Sequence, residues 1–362
     1  MKKALVAVSG GVDSSVAALE TIEAGFNCIG ATMKLFHPSA ININPDKATG
    51  SDSDIEDAKA VCEKLGIEHL VFDFAESFKE NVINRFICAY ESGLTPNPCI
   101  ECNKHIKWKL MFEKMEELGC DYIVTGHYAR IEFDENSGKY LLKKGKDEAK
   151  DQSYVLYNMT QSELAHTLLP IGELSKAETR ERAEKNGFIN SKKKDSQDIC
   201  FIPDGDYAAF IENETGKTYK KGHFIRTDGT DLGEHKGLIH YTIGQRRGLG
   251  LALDRPGYVI RKDMDSGAVI IGDNEDLFTR RLVADEFNWI SGEAPKAPIK
   301  AKAKTRYRHK EQPATIIPIE DGRVEIIFDE PQRAITEGQA AVIYDGDTLL
   351  GGGRIIETEY NF

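Results

Sequence analysis

Residues 8–20 read VSGGVDSSVAALE, and the path a chain can take through them decides the fold. The preceding KKALVAVSG is an apolar, strand-like run. Gly10 and Gly11 let the backbone turn tightly after Val8, and Ser14 and Ser15 open a helix, DSSVAALETIEAG, that Gly25 ends. A strand, a glycine turn and a helix in that order aim backbone amides and the positive end of a helix dipole at one point, which makes an anion site. The Walker pattern needs a Lys-Ser/Thr pair after the second glycine, and the dinucleotide fingerprint needs a third glycine at fixed spacing; this stretch has neither.

Outward from that loop the alternation continues. FNCIGATMKL reads as a strand, DIEDAKAVCEKLG as a helix, IEHLVFDFA as a strand, NKHIKWKLMFEKMEELG as a helix and CDYIVTGHYA as a strand. Strands and helices joined this closely predict an α/β, doubly wound parallel sheet covered on both faces. HPSAININPDKATGSDS, residues 37–53, is polar and aperiodic and reads as a mobile loop. After about residue 205 the helical period disappears, and Asp228-Gly229, Asp321-Gly322 and Asp345-Gly346 mark hairpins. The expected organisation is a catalytic domain at 1–205, a small central mixed domain at 206–280 and a C-terminal β-barrel at 281–362.

The 362 residues, 40% of them hydrophobic, can fill a core in each of these units. No apolar run reaches membrane-spanning length, and MKKALVAVSGG lacks the pattern of a cleaved leader, so a cytoplasmic protein with no membrane partner is expected. A net charge of −12 argues against nucleic acid binding over the whole surface, though not against a local basic face. Seven cysteines in a reducing compartment do not suggest a structural disulfide framework. Cys28, Cys62, Cys88 and Cys120 lie in apolar or helical context and read as small buried hydrophobes. Cys99, Cys102 and Cys200 lie in polar loops and need another reason. The spacing of Cys99 and Cys102 alone suits zinc, disulfide exchange and iron–sulfur ligation equally well.

The S-G-G-x-D-S string resembles the PP-loop of ATP pyrophosphatases. TPNPCIECNKHIKW, TGHYAR, KDQSYVLYNM, DSQDICFIP, HYTIGQRRGLG and KTRYRH, in that order and over essentially the whole chain, resemble the tRNA-specific 2-thiouridylases. The resemblance implies an adenine nucleotide alpha hydrolase-like first domain that uses ATP and Mg2+. ATP adenylates the C2 oxygen of the wobble uridine, position 34, and a persulfide sulfur displaces AMP. On this chain it puts the nucleotide against Ala7, Val8, Ser9, Gly10, Gly11, Val12, Asp13, Ser14, Met33 and Gly126. It makes Cys102 the nucleophile and Cys200 the persulfide carrier, and it implies a disulfide bond. It places the target base at Asn97, Pro98 and Cys99, and further tRNA contacts at His127, Lys150, Asp151, Gln152, Arg306, Tyr307 and Gln339. It also implies a sulfur-donor protein, a cysteine desulfurase or a relay protein.

The residues fit that chemistry independently. Sulfur carried on one thiol and released by a second requires two cysteines brought together from distant loops, and a nucleophilic thiolate requires nearby positive charge to lower its pKa. Lys104, His105 and Lys107 follow Cys102, without the sequence saying which points inward. Asp13 suits either a magnesium contact or a helix cap, and Lys192–Lys194 reads as a segment that orders on tRNA. In PIKAKAKTRYRHK, Lys300, Lys302, Lys304, Arg306, Arg308 and Lys310 recur at period two, which puts six cations on one strand face as a tRNA-binding row. Cys99 departs from the aspartate common in the family. It leaves two routes open: a persulfide passed between Cys200 and Cys102, or a [4Fe–4S] cluster on Cys99, Cys102 and Cys200. An adenylating ligase sharing the same loop, or a silent RNA-binding module, would need neither thiol.

Overall fold

The computed structural model describes residues 1–37, 51–194 and 199–359; most of the loop expected at 37–53, residues 38–50, lies outside them. Strands β1 (Lys3–Ala7), β2 (Asn27–Lys34), β3 (Glu68–Asp73), β4 (Tyr122–Val124) and β7 (Thr167–Leu168) form one sheet in the order β3-β2-β1-β4-β7. Every pairing in it is parallel. Alternation along β1 serves two cores. Ala4 and Val6 pack with residues of α1 (Val12–Glu23) and α2 (Asp52–Leu65), whereas Leu5 packs with Ile106, Trp108 and Met111 on the opposite face. The expected doubly wound sheet is therefore present. Its chain order runs outward from β1 to β3 and then jumps back to β4, so the strand order reverses between β1 and β4, where such sheets bind ligands.

The stretch read as one helix after Pro98 is continuous but not uniform. Pro98–Cys102 and Met111–Glu117 are α-helical, while Asn103–Leu110 between them is π-helical. Hydrogen bonds from residue i+5 to i, such as Met111 N–H to the Ile106 carbonyl, widen the turn there.

The central unit is a four-stranded sheet, β10-β11-β8-β9, built from β8 (Gly222–Arg226), β9 (Asp231–His235), β10 (Tyr258–Asp263) and β11 (Ala268–Gly272). Next come β12 (Phe278–Trp289), β13 (Ile299–Lys304), β14 (Gln312–Pro318), β15 (Val324–Arg333), β16 (Ala340–Asp345) and β17 (Thr348–Thr358). They run β12-β15-β14-β13-β16-β17, and a β12–β17 pairing closes them into a barrel. The three Asp-Gly pairs sit between β8 and β9, β14 and β15, and β16 and β17, as expected of hairpin turns. A hairpin from the first part of the chain, β5 (Ala129–Asp134) and β6 (Lys139–Lys144), was not expected here: β6 pairs with β17 and extends the barrel sheet.

Two expectations fail. The six-cation row does not exist, because β13 ends at Lys304 and the row is split by burial. Lys304 is buried, its ammonium 3.7 Å from the Asp151 carboxylate and over the rings of Tyr154 and Tyr344. Arg306 donates to the carbonyls of Ile243 and Ala334 and to Thr336 Oγ1, tying the central unit to the barrel. Lys300, Lys302, Arg308 and Lys310 are the exposed cations of the row. Among the cysteines, Cys28, Cys62 and Cys120 are buried as expected, but Cys88 is exposed on the helix Asn84–Glu91. Among the described residues no helix is long and apolar enough to cross a membrane.

Candidate active site

The glycine loop leaves the C-terminal end of β1 and enters α1 with Gly11 as N-cap and no side chain capping the helix. Its hydroxyls are used internally. Ser14 Oγ and Ser15 Oγ both donate to the Gly11 carbonyl, at 3.0 and 2.9 Å, and Ser9 N–H donates to Ser14 Oγ at 3.0 Å. The first-turn amides of α1 are thus left for an incoming anion. The cradle is made by close approach. Gly10 has φ +72°, and a Cβ there would lie 2.2 Å from the Asp54 carbonyl oxygen; a Cβ on Gly126, after β4, would lie 2.7 Å from the Asp13 backbone. Gly11 differs, since the nearest atom to its would-be Cβ is Ser9 Oγ at 3.4 Å, an ordinary van der Waals contact. Ala7, Val8 and Val12 form the buried or half-buried walls of the loop, and Met33 is half-buried at the end of β2.

Asp13 does not cap α1. Its carboxylate receives Lys176 Nζ at 2.7 and 2.9 Å and the Tyr128 hydroxyl at 2.9 Å. Within the basic run Lys192 and Lys194 are exposed, whereas Lys193 is tied to the protein. Its ammonium is held by Asp54 at 2.5 Å, Asp57 at 2.6 Å and the Gly10 carbonyl at 3.2 Å. Asn190 donates to the same carbonyl at 2.9 Å. The loop's outer face is therefore braced by the segment that leads toward Cys200; Asp195–Asp198 lie outside the described residues.

Cys99 and Cys102 sit on the first helical turns after Asn97, whose side chain accepts the Cys99 N–H at 3.1 Å, with Pro98 at the first helical position. Cys200 is set by its neighbour Phe201, which is 1% exposed and packs edge-on against Phe78 and Phe86. The three thiols are close enough to feel one another's charge, and all are free. Burial pushes the Cys102 thiol up to about 11 and Cys200 higher still, with Lys107 pulling both back. The net direction is opposite to the lowered pKa expected of the nucleophile. Among the described residues no three His, Cys, Asp or Glu side chains converge as a metal site, so no step is routed through a cluster.

Of the three basic residues after Cys102, Lys107 points inward. Lys104 pairs with Glu286 at 3.2 Å, and His105 Nε2 lies 3.3 Å from the Glu101 carboxylate, whereas the cation that acts on the thiols is Lys107. Lys107 Nζ lies 3.3 Å from His127 Nε2, and His127 Nδ1 lies 2.7 Å from Thr125 Oγ1. His127 is buried against Trp108, and burial and Lys107 hold its pKa well below the usual imidazole value.

The residues expected on tRNA divide. Tyr307 is 37% exposed, stands edge-on to Tyr154 and lies beside Cys99, so it offers a ring at the mouth of the cleft. Gln339 donates to the Thr95 carbonyl at 2.7 Å, and Thr95 N–H donates to the Glu337 carbonyl at 2.9 Å, so the barrel holds the Cys99 loop. Asp151 accepts from Gly145 N–H and from both Ser153 donors, and Gln152 Oε1 accepts the Tyr128 N–H. These two, like Arg306, are internal struts; Lys150 is half-buried in the turn before them. Lys193 and the Lys107–His127 contact were missed as site features, because each is fixed by partners far away in the chain.

A glycine-loop anion cradle at the switch point of a parallel sheet defines an ATP-using α/β enzyme. Three family models match in succession: a tRNA methyl transferase HUP domain over 2–204, a tRNA methyl transferase PRC-barrel domain over 208–273 and an aminomethyltransferase β-barrel domain over 279–355. The chain is 48% identical over 354 residues to the tRNA-specific 2-thiouridylase MnmA of Clostridioides difficile, covering 98% of each chain. It is 47% identical over 355 residues to that of Acetivibrio thermocellus, covering 98% of this chain and 99% of the other. A 4-thiouridine synthetase–RNA complex with bound ATP is a slighter likeness, at TM-score 0.36 and 18% identity over 59% of this chain and 50% of that one. The chain belongs to the tRNA-specific 2-thiouridylase family, sulfurtransferases that thiolate tRNA at the expense of ATP.

Proposed function

We propose that this chain converts the wobble uridine, position 34, to 2-thiouridine by adenylation followed by persulfide transfer. ATP binds with its phosphates on the amides of Gly10–Ser14, and Mg2+ enters as the counter-ion of those phosphates, as is usual for this hard cation. The C2 oxygen attacks the α-phosphorus, pyrophosphate leaves, and C2 becomes electrophilic. Cys200, loaded by a sulfur-donor protein, carries the sulfur to be transferred. Its terminal sulfur bonds to C2, and AMP leaves with the C2 oxygen. Cys102 thiolate then attacks Cys200 Sγ, the Cys200–sulfane bond breaks toward the product, and a Cys102–Cys200 disulfide remains for an external thiol to reduce.

The observation that carries this reading is that Cys102 and Cys200, 98 residues apart in number, come within one another's electrostatic reach in a chain whose α1 N-terminus is uncapped. Cys99 carries no sulfur in this scheme; with Tyr307 it borders the place of the base. The protein is cytoplasmic on this reading, since it needs reduced thiols and tRNA. Pyrophosphate release from ATP should require tRNA bearing an unmodified uridine 34. Release driven instead by a small amine or acid would assign the chain's chemistry to an amide-forming ligase.

A further inference from the structure

We propose that Lys107 is the counter-cation of the sulfur-transfer step and that His127 is its positioning residue. The inference rests on the persulfide reading above and adds the source of positive charge that the reading requires.

Lys107 is five residues after Cys102, and in a regular α-helix that spacing turns the two side chains well apart. The π-helical hydrogen bonding of Asn103–Leu110 widens the turn, so residues five apart come round to neighbouring positions on one side, and Lys107 returns toward the side of the thiols. Among the described residues its hydrogen-bond partner is a histidine, at 3.3 Å, and no carboxylate pairs with it. Lys104, by contrast, pairs with Glu286 at 3.2 Å.

The ammonium has only protons to give, so His127 Nε2 accepts, and Nδ1 then carries the ring proton and donates to Thr125 Oγ1. A neutral, buried ring in that tautomer anchors the cation without discharging it. The anion Lys107 serves is therefore not a protein carboxylate. It is the sulfur charge that appears as Cys102 ionises, and as the sulfane terminus of Cys200 approaches C2. Besides His127, the Lys107 charge acts on Cys99, Cys102 and Cys200. No bond to the Lys107 ammonium forms or breaks.

The test is the pH profile of alkylation by iodoacetamide, read at Cys102 and Cys200 by peptide mass spectrometry, on the full chain without tRNA or ATP. Lys107→Gln keeps a donor for His127 and removes only the charge. It should slow Cys102 alkylation about tenfold at fixed pH and move the profile about one unit upward, the lower end of what one neighbouring charge does to a pKa. Lys107→Arg should restore most of the rate. His127→Gln, which leaves the charge but loosens it, should shift the profile the same way by less, and it decides the matter where Lys107→Gln does not fold. Profiles unchanged from wild type in the folded variants would overturn the proposal. Because the reagent needs neither nucleotide nor RNA, this result is independent of whether pyrophosphate release depends on tRNA.

Discussion

Gly10 and Gly11 are adjacent, yet the structure asks different things of them. A Cβ on Gly10 meets backbone at 2.2 Å in a left-handed conformation, so Gly10→Ala should cost folding stability, of the order of 1–3 kcal/mol for strain alone, visible as a lowered Tm. Gly11 has an ordinary φ and a Cβ there would make only an ordinary contact with Ser9 Oγ, so Gly11→Val should fold and lose nucleotide binding, measured by ATP titration. Cys99→Asp should be close to silent in iron-free protein, because Cys99 lies at the cleft but passes no sulfur in the persulfide route. Thiolation that tracked bound iron, and fell with this change, would restore the cluster alternative. At this scale the glycine loop was fully legible, because a turn followed by a helix start is local chemistry. The state of the thiols was not. Positive residues were visible after Cys102, but burial, which depends on residues such as Phe201 far along the chain, outweighs them and raises the thiol pKa values. The sign follows directly: at neutral pH Cys102 is mostly protonated, so its alkylation should rise about tenfold per pH unit through pH 8–10 without reaching a plateau.

The strand β13 shows how an element can be placed correctly and misread. Period two put Lys300, Lys302 and Lys304 on one face, and that face exists, but its far end runs under Tyr154 and Tyr344. Lys304→Glu would bury a second carboxylate beside that of Asp151, and should destabilise the protein by about 3–5 kcal/mol, as breaking a buried pair does, rather than simply weaken RNA binding. Chemical denaturation measures that loss. Charge reversal at the exposed Lys302 and Arg308 should instead leave stability intact and flatten the salt dependence of tRNA affinity. The π-helical turns after Cys102 were equally hidden. The apolar spacing of Ile106, Trp108 and Met111 is compatible with a helix of either width, and only packing against the sheet decides.

Across the whole molecule, the three expected units assemble as a nucleotide sheet, a small middle sheet and a closed barrel, but the chain does not respect them as separate bodies. The β5–β6 hairpin leaves the first unit to join β17, and the barrel loop at Glu337–Gln339 holds Thr95 and thereby the Cys99 turn. Such long-range pairings leave no periodic trace in sequence. They also mean that the barrel shapes the catalytic cleft directly. The account stands on sulfur passing from Cys200 to the base with Cys102 closing the cycle, and single turnover with isotope-labelled persulfide on Cys200 tests this most directly. The label should appear in 2-thiouridine together with an equal amount of Cys102–Cys200 disulfide, and Cys200→Ser should transfer none. Label reaching the tRNA at an undiminished rate in Cys200→Ser, or transfer from the wild type without that disulfide, would contradict it.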